Sequence, residues 1–234
     1  MLRNIFGNLQ PVVKNLLIIN ALFFLATVVM QNKGIFLSTY LGLFYPDSPL
    51  FEPYQFATHF FMHGGFRHFF FNMIALLVFG NMLERVWGAK KMLTFFFVAA
   101  IGAAIVHVAS EAVQVYQMTG TIRPFADDWF MSTNSFVRAN EVLQITNGPA
   151  VGASGAIYGL IVGAALLFPN TELYIYGVLP VKVKWLALIA IAYDVLSIFQ
   201  NNPNDHTAHF AHLGGAIVGF IMIKIWQRNS NSFY

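Results

Sequence analysis

Apolar stretches near 15–32, 69–87, 92–111, 151–169, 183–200 and 207–227 dominate this chain. Each is close to the roughly 20 residues that an α-helix needs to cross a hydrocarbon core of about 30 Å. Lipid offers no hydrogen bonds to an open backbone, so such segments cross as helices. The composition agrees: 57% of residues are hydrophobic and 10% charged, where soluble domains carry about 25% charge. The expected fold is an all-α polytopic membrane protein, a bundle of six transmembrane helices forming one domain over 1–234 with both termini on one side. The first apolar run follows no small-residue cleavage pattern and reads as a retained span, not a removed leader.

Positive charge near span ends marks the cytoplasmic side. Arg3, Lys14, Arg85, Lys90, Lys91, Lys182, Lys184, Lys224 and Arg228 fall on one side, and Lys33, Arg67, Arg123 and Arg138 on the other. The termini are therefore expected in the cytoplasm. The net charge of +3 follows from this topology and implies no nucleic-acid partner. The partners expected are the lipid bilayer and proteins within it. The chain has no cysteine, which excludes a thiol nucleophile and thiolate metal ligands.

Two outer loops are expected, about 33–65 and 117–149. The first is rich in Phe and Tyr and suits the membrane interface. The second is long and polar, contains Asp127, Asp128, Arg138 and Glu141, and leads into GASGAIYG at 152–159. Glycines recur every four residues at Gly155, Gly159 and Gly163, and again at Gly215 and Gly219. Small residues at that spacing let helix backbones approach closely, so the fourth and sixth spans are expected to touch.

That contact would bring Ser154 and His212 together. Ser154 opens an apolar helix, where backbone N–H groups lack intrahelical partners and the helix dipole favours negative charge. His212 could take the serine proton as general base. Tyr158, one turn beyond Ser154, could support the imidazole. Asp205 and Asp194 have no compelling spacing to His212, so the expectation is a dyad. His68 and Asn72 share one face of the second span and could donate hydrogen bonds to an oxyanion. A general base must be neutral, so activity is expected to fall as pH drops through about 6.5, the ordinary histidine value.

These residues resemble the rhomboid intramembrane serine proteases. HFFFN at 68–72, GASGAIYG at 152–159 and AHLGGAIVG at 211–219 follow the family's motifs in order and on the expected spans. The resemblance implies a serine endopeptidase that cleaves transmembrane segments near the outer membrane surface through an acyl-enzyme, without a cofactor or metal. By it Ser154 is the nucleophile and His212 the base, and His68, Asn72 and the Ser154 N–H bind the oxyanion. Tyr158 packs on the base, Gly152 and Gly155 flank the serine, and Gly215 lies at the family's distance from the histidine. His63 and the pair Glu84–Arg85 match further family positions with structural roles. A compact six-span chain is expected to resemble the bacterial form, in the inner membrane.

The tryptophan–arginine pair of the family's first loop is replaced by Tyr54–Gln55, which leaves the anchoring of that loop open. Two other functions fit part of the pattern. A catalytically inactive family member would bind membrane proteins without cleaving them. A metal transporter or metalloenzyme would use His59, His63, His68, His206, His209 and His212, since imidazoles suit zinc or copper. Against the latter, the spans carry few carboxylates, and residues 206, 209 and 212 do not all point one way around a helix. His206 and His209, with His68 and Asn72, could instead line a path for water.

Overall fold

The computed structural model describes residues 9–175, 177–200 and 207–228. Arg3, Asp205 and His206 lie outside them. The chain is mostly helical. Pro11–Gln31 (α1), the helical path Phe66–Thr119, Val183–Gln200 and His209–Arg228 are each long and apolar enough to cross a membrane. The path from Phe66 begins as Phe66–Ala75 (α2), widens into one π-helical stretch at Leu76–Gly80 and continues as Asn81–Thr119 (α3). Phe136–Thr146 (α4) lies within the loop 117–149, and Ser154–Leu167 (α5) is apolar but only 14 residues long. The hairpin Glu172–Ile175 (β1) and Leu179–Lys182 (β2) pairs antiparallel, a short addition to the helical fold. Val183–Gln200 (α6) and His209–Arg228 (α7) complete the bundle.

Within α3 the chain reverses at Gly88. Its φ of 74° and ψ of 170° are not helical, and only glycine takes such a φ at little cost. Residues 80 and 92 would stand about 18 Å apart along a straight helix. Yet a Cβ on Gly80 would lie 3.3 Å from the Met92 methyl, and the Trp87 and Phe95 rings are 4.8 Å apart. Gly88, Lys90 and Lys91 lie between the apolar stretches near 69–87 and 92–111.

The N-terminus of α1 is held by side chains of α3. Pro11 needs no N–H partner at the first turn. Next to it, Val12 and Val13 donate their N–H groups to the two oxygens of Glu84 at 2.9 Å each, and Gln10 donates to Asn81 Oδ1 at 2.9 Å. Glu84 is 1% exposed. Its charge is balanced by the partial positive charge of a helix start. Glu84→Gln leaves one acceptor and sets an NH₂ against a backbone N–H, so it should cost about 1–3 kcal/mol. A lowered unfolding midpoint of the purified protein in detergent is the expected reading.

The core gathers Phe60, Leu76, Leu83, Met92, Phe95, Phe96, Leu160 and Ile223 between α3, α5 and α7. Helix contact there depends on absent side chains. A Cβ on Gly102 would meet Val218 at 2.6 Å, and one on Gly214 would meet Val106 at 2.6 Å. Thus α3 and α7 interlock valine against glycine in both directions. Helices α5 and α7 come closer still: a Cβ on Gly215 would lie 1.9 Å from the Gly155 carbonyl oxygen, and one on Gly219 would lie 2.7 Å from the Gly159 Cα. The expected touch of these two spans is therefore a backbone contact.

The loop 33–65 is anchored by Gln55, which is 1% exposed. Its Oε1 accepts from the Phe44 N–H at 3.3 Å, and its Nε2 donates to the Leu50 carbonyl at 2.9 Å and the Tyr40 carbonyl at 3.4 Å. One amide with both donor and acceptor thereby closes the loop on itself. Nearby, Asp47 joins this loop to the loop 117–149 by accepting from the Phe125 N–H at 2.7 Å.

Candidate active site

Three restraints aim residues 150–154. Leu43 and Ala150 exchange backbone hydrogen bonds at 2.9 and 2.8 Å, and the Gly152 N–H donates to the His59 carbonyl at 2.9 Å. Gly152 has φ 128°, which disfavours any side chain, and a Cβ there would lie 2.8 Å from His68 Nε2 and 3.6 Å from Ser154 Oγ. The chain then enters α5 at Ser154, with Ala153 as its cap residue. Ser154 therefore does not spend its hydroxyl on capping its own helix.

The hydroxyl meets His212 instead, with Oγ 2.9 Å from Nε2. The imidazole lies flat on the Tyr158 ring, 4.3 Å between centroids and 9° from parallel. Gly155 and Gly215, each next to the site on its own helix, make the backbone contact that sets this spacing. The structure thus brings Ser154, His212, Tyr158, Gly152, Gly155 and Gly215 together.

His68 accepts the Gly64 N–H on Nδ1 at 3.4 Å. A neutral ring then carries its proton on Nε2, the nitrogen that faces Gly152. Asn72, one turn further along α2, is 7% exposed, and its Nδ2 is buried without a hydrogen-bond partner among the described residues. A buried donor left unpaired costs about 1–3 kcal/mol. An acceptor arriving during a reaction would recover that cost. His59 and His63, in the first loop, are held near a pKa of about 4 chiefly by burial, and so are neutral near pH 7. A cleft beside Ser154 is lined by His59, His107, Ala103, Gly152 and Ala211.

Two expectations need correction. A carboxylate does face the base: Asp194 on α6 is fully buried, and its Oδ1 lies 3.0 Å from His212 Nδ1. His209 does not line a path for water. It is 7% exposed and its Nδ1 bonds the same Oδ1. Positions 209 and 212 are one helical turn apart, so both rings reach α6 from the same side of α7. Sequence spacing hid this pairing, but an ionisable residue inside an apolar span was itself a signal. Asp194, His209 and His212 offer ligand atoms within 4.8 Å of one another, a set that could hold a metal ion. Hydrogen bonds between imidazole N–H and carboxylate account for the same distances.

The rhomboid domain family model matches residues 50–229. The chain is 30% identical over 168 residues to Rhomboid protease AarA of Providencia stuartii, covering 69% of this chain and 51% of that protein. It is 28% identical over 171 residues to RHOMBOID-like protein 12, mitochondrial, of Arabidopsis thaliana, covering 73% and 45% respectively. With Rhomboid-like protein 11, chloroplastic, of the same plant, it shares 25% over 219 residues, 91% of this chain and 64% of the relative. The chain spans about half the length of the first of these curated relatives. On the family match over most of its length, and on apolar helices that carry the family's motifs in order, the chain belongs to the rhomboid family.

Proposed function

We propose that this protein is an intramembrane serine endopeptidase that cleaves transmembrane segments of other membrane proteins near the outer membrane surface. The observation that carries the reading is the 2.9 Å contact between Ser154 Oγ on the apolar helix α5 and His212 Nε2 on the membrane-length helix α7. The reading includes six crossings, counting the limbs on either side of Gly88 and the short α5 separately. It also includes cytoplasmic termini and the inner membrane of a bacterium as the location.

In the reaction Ser154 Oγ attacks the scissile carbonyl carbon and its proton passes to His212 Nε2. The carbonyl oxygen gains the negative charge. Donors for it are the Ser154 N–H at the positive end of α5, Asn72 Nδ2 and the Nε2–H of His68. The C–N bond then breaks as the imidazolium gives its proton to the leaving amine, and an ester on Ser154 remains. Water, deprotonated by His212, hydrolyses that ester and frees the serine. The unpaired Nδ2 of Asn72 supports its part in this scheme. Asn72→Ala should lower kcat about 100-fold, as loss of one oxyanion donor does, with little change in folding.

The test is reconstitution of the purified chain in liposomes with single-span substrates that carry helix-breaking residues at different depths. Cleavage near the outer end of the span, located by product mass and lost in Ser154→Ala, is the expected result. Intact substrates at every depth would refute the proposal.

A further inference from the structure

We propose that Asp194 is the third member of the catalytic group, a positioning residue that fixes the tautomer and orientation of His212. This rests on the protease reading. An ionised carboxylate can only accept hydrogen bonds. With Asp194 Oδ1 3.0 Å from His212 Nδ1, that nitrogen carries the proton. The neutral ring then has a bare Nε2, and it is this nitrogen that lies 2.9 Å from Ser154 Oγ. The serine hydroxyl can donate to it, which is the starting arrangement for attack.

Proton transfer from Oγ to Nε2 makes an imidazolium, with the added positive charge beside the carboxylate. Asp194 remains ionised throughout and gains no proton; the one proton moved goes from serine to histidine to the leaving amine. The carboxylate is itself fixed. Asp194 is fully buried, and His209 Nδ1 donates to the same oxygen. Two donors from α7 thus hold one acceptor on α6. The acceptor in turn orients the base at the α5–α7 contact. A buried carboxylate serving only to join helices would not require that one of its partners also be in contact with the serine.

The test compares wild type, Asp194→Asn and Ser154→Ala, each as the full chain in detergent. Asn can turn its NH₂ toward Nδ1 and so favour the tautomer with the proton on Nε2, which cannot act as base. Asp194→Asn should lower kcat about 100-fold, within the range that positioned proton transfer contributes, with KM changed less than about threefold. The rate of Ser154 phosphonylation by a fluorophosphonate should fall by a similar factor. A kcat within about threefold of wild type would overturn the proposal. If Asp194→Asn does not fold, wild type labelled with ¹⁵N-histidine decides, with His212 assigned by its loss in His212→Ala. A protonated Nδ1 and bare Nε2 support the proposal, and the opposite tautomer overturns it. If wild type neither cleaves nor labels, the protease reading fails, and the ¹⁵N signals still judge the Asp194–His212 pairing.

Discussion

Ser154→Ala should reduce cleavage of a reconstituted transmembrane substrate by at least about 10⁴-fold, the scale on which serine proteases lose kcat when the nucleophile is removed. Alanine at this position removes one oxygen and little else. Ser154 does not cap α5, and the Gly152 N–H bond to His59 and the Gly155–Gly215 contact do not involve its hydroxyl. The unfolding midpoint should therefore stay near that of wild type. His212→Ala should cost a similar factor. The double variant should be no worse than either single one within about threefold, because nucleophile and base act as one unit. Independent, multiplying losses would mean that the two residues serve separate purposes. The measurement is initial cleavage rates in proteoliposomes for all four proteins.

Gly215→Val should damage both fold and activity. A single Cβ at this position would stand 1.9 Å from the Gly155 carbonyl oxygen, and the obstacle is backbone, which cannot rotate away. The helices must separate, at a cost on the order of 3 kcal/mol. That separation falls where it matters most. Gly155 follows the nucleophile and Gly215 lies one turn after the base, so moving α7 outward lengthens the 2.9 Å Ser154–His212 contact. A misplacement of about 1 Å can cost 100-fold in rate. Cleavage should fall by more than about 100-fold, and the unfolding midpoint should drop as well. The control is Gly177→Ala: no heavy atom lies within 4 Å of a Cβ there. Its φ of 73° adds local strain, but the turn stands apart from the site, so activity should persist.

These two variants also mark what could be read from the sequence. The close approach of α5 and α7 was legible because glycine spacing is a local signal: residues four apart share a helix face, and a stripe of them predicts contact without knowledge of the partner. The same holds for the reversal at Gly88, where a short basic turn separates two apolar runs. Asp194 was not legible in this way. Its pairing with His209 and His212 depends on how α6 packs beside α7, and no periodicity within either helix encodes that packing. Gln55 shows a related limit. The sequence there lacks the family's tryptophan and arginine, and only the folded loop reveals that one buried amide closes it through three backbone bonds. Helix α4 and the β1–β2 hairpin were missed for a different reason. They are short, partly exposed elements between spans, where the apolar pattern that identified the membrane helices is interrupted.

The central claim is that Ser154 is activated by His212, and intact-mass spectrometry after treatment with a fluorophosphonate tests it most directly. Such a reagent phosphonylates a serine whose proton can be taken by a neighbouring base. Wild type, Ser154→Ala and His212→Ala would be treated in parallel in detergent. A single adduct on wild type, absent from both variants, is the result the account predicts. No adduct on wild type, or one that persists in Ser154→Ala, would contradict it.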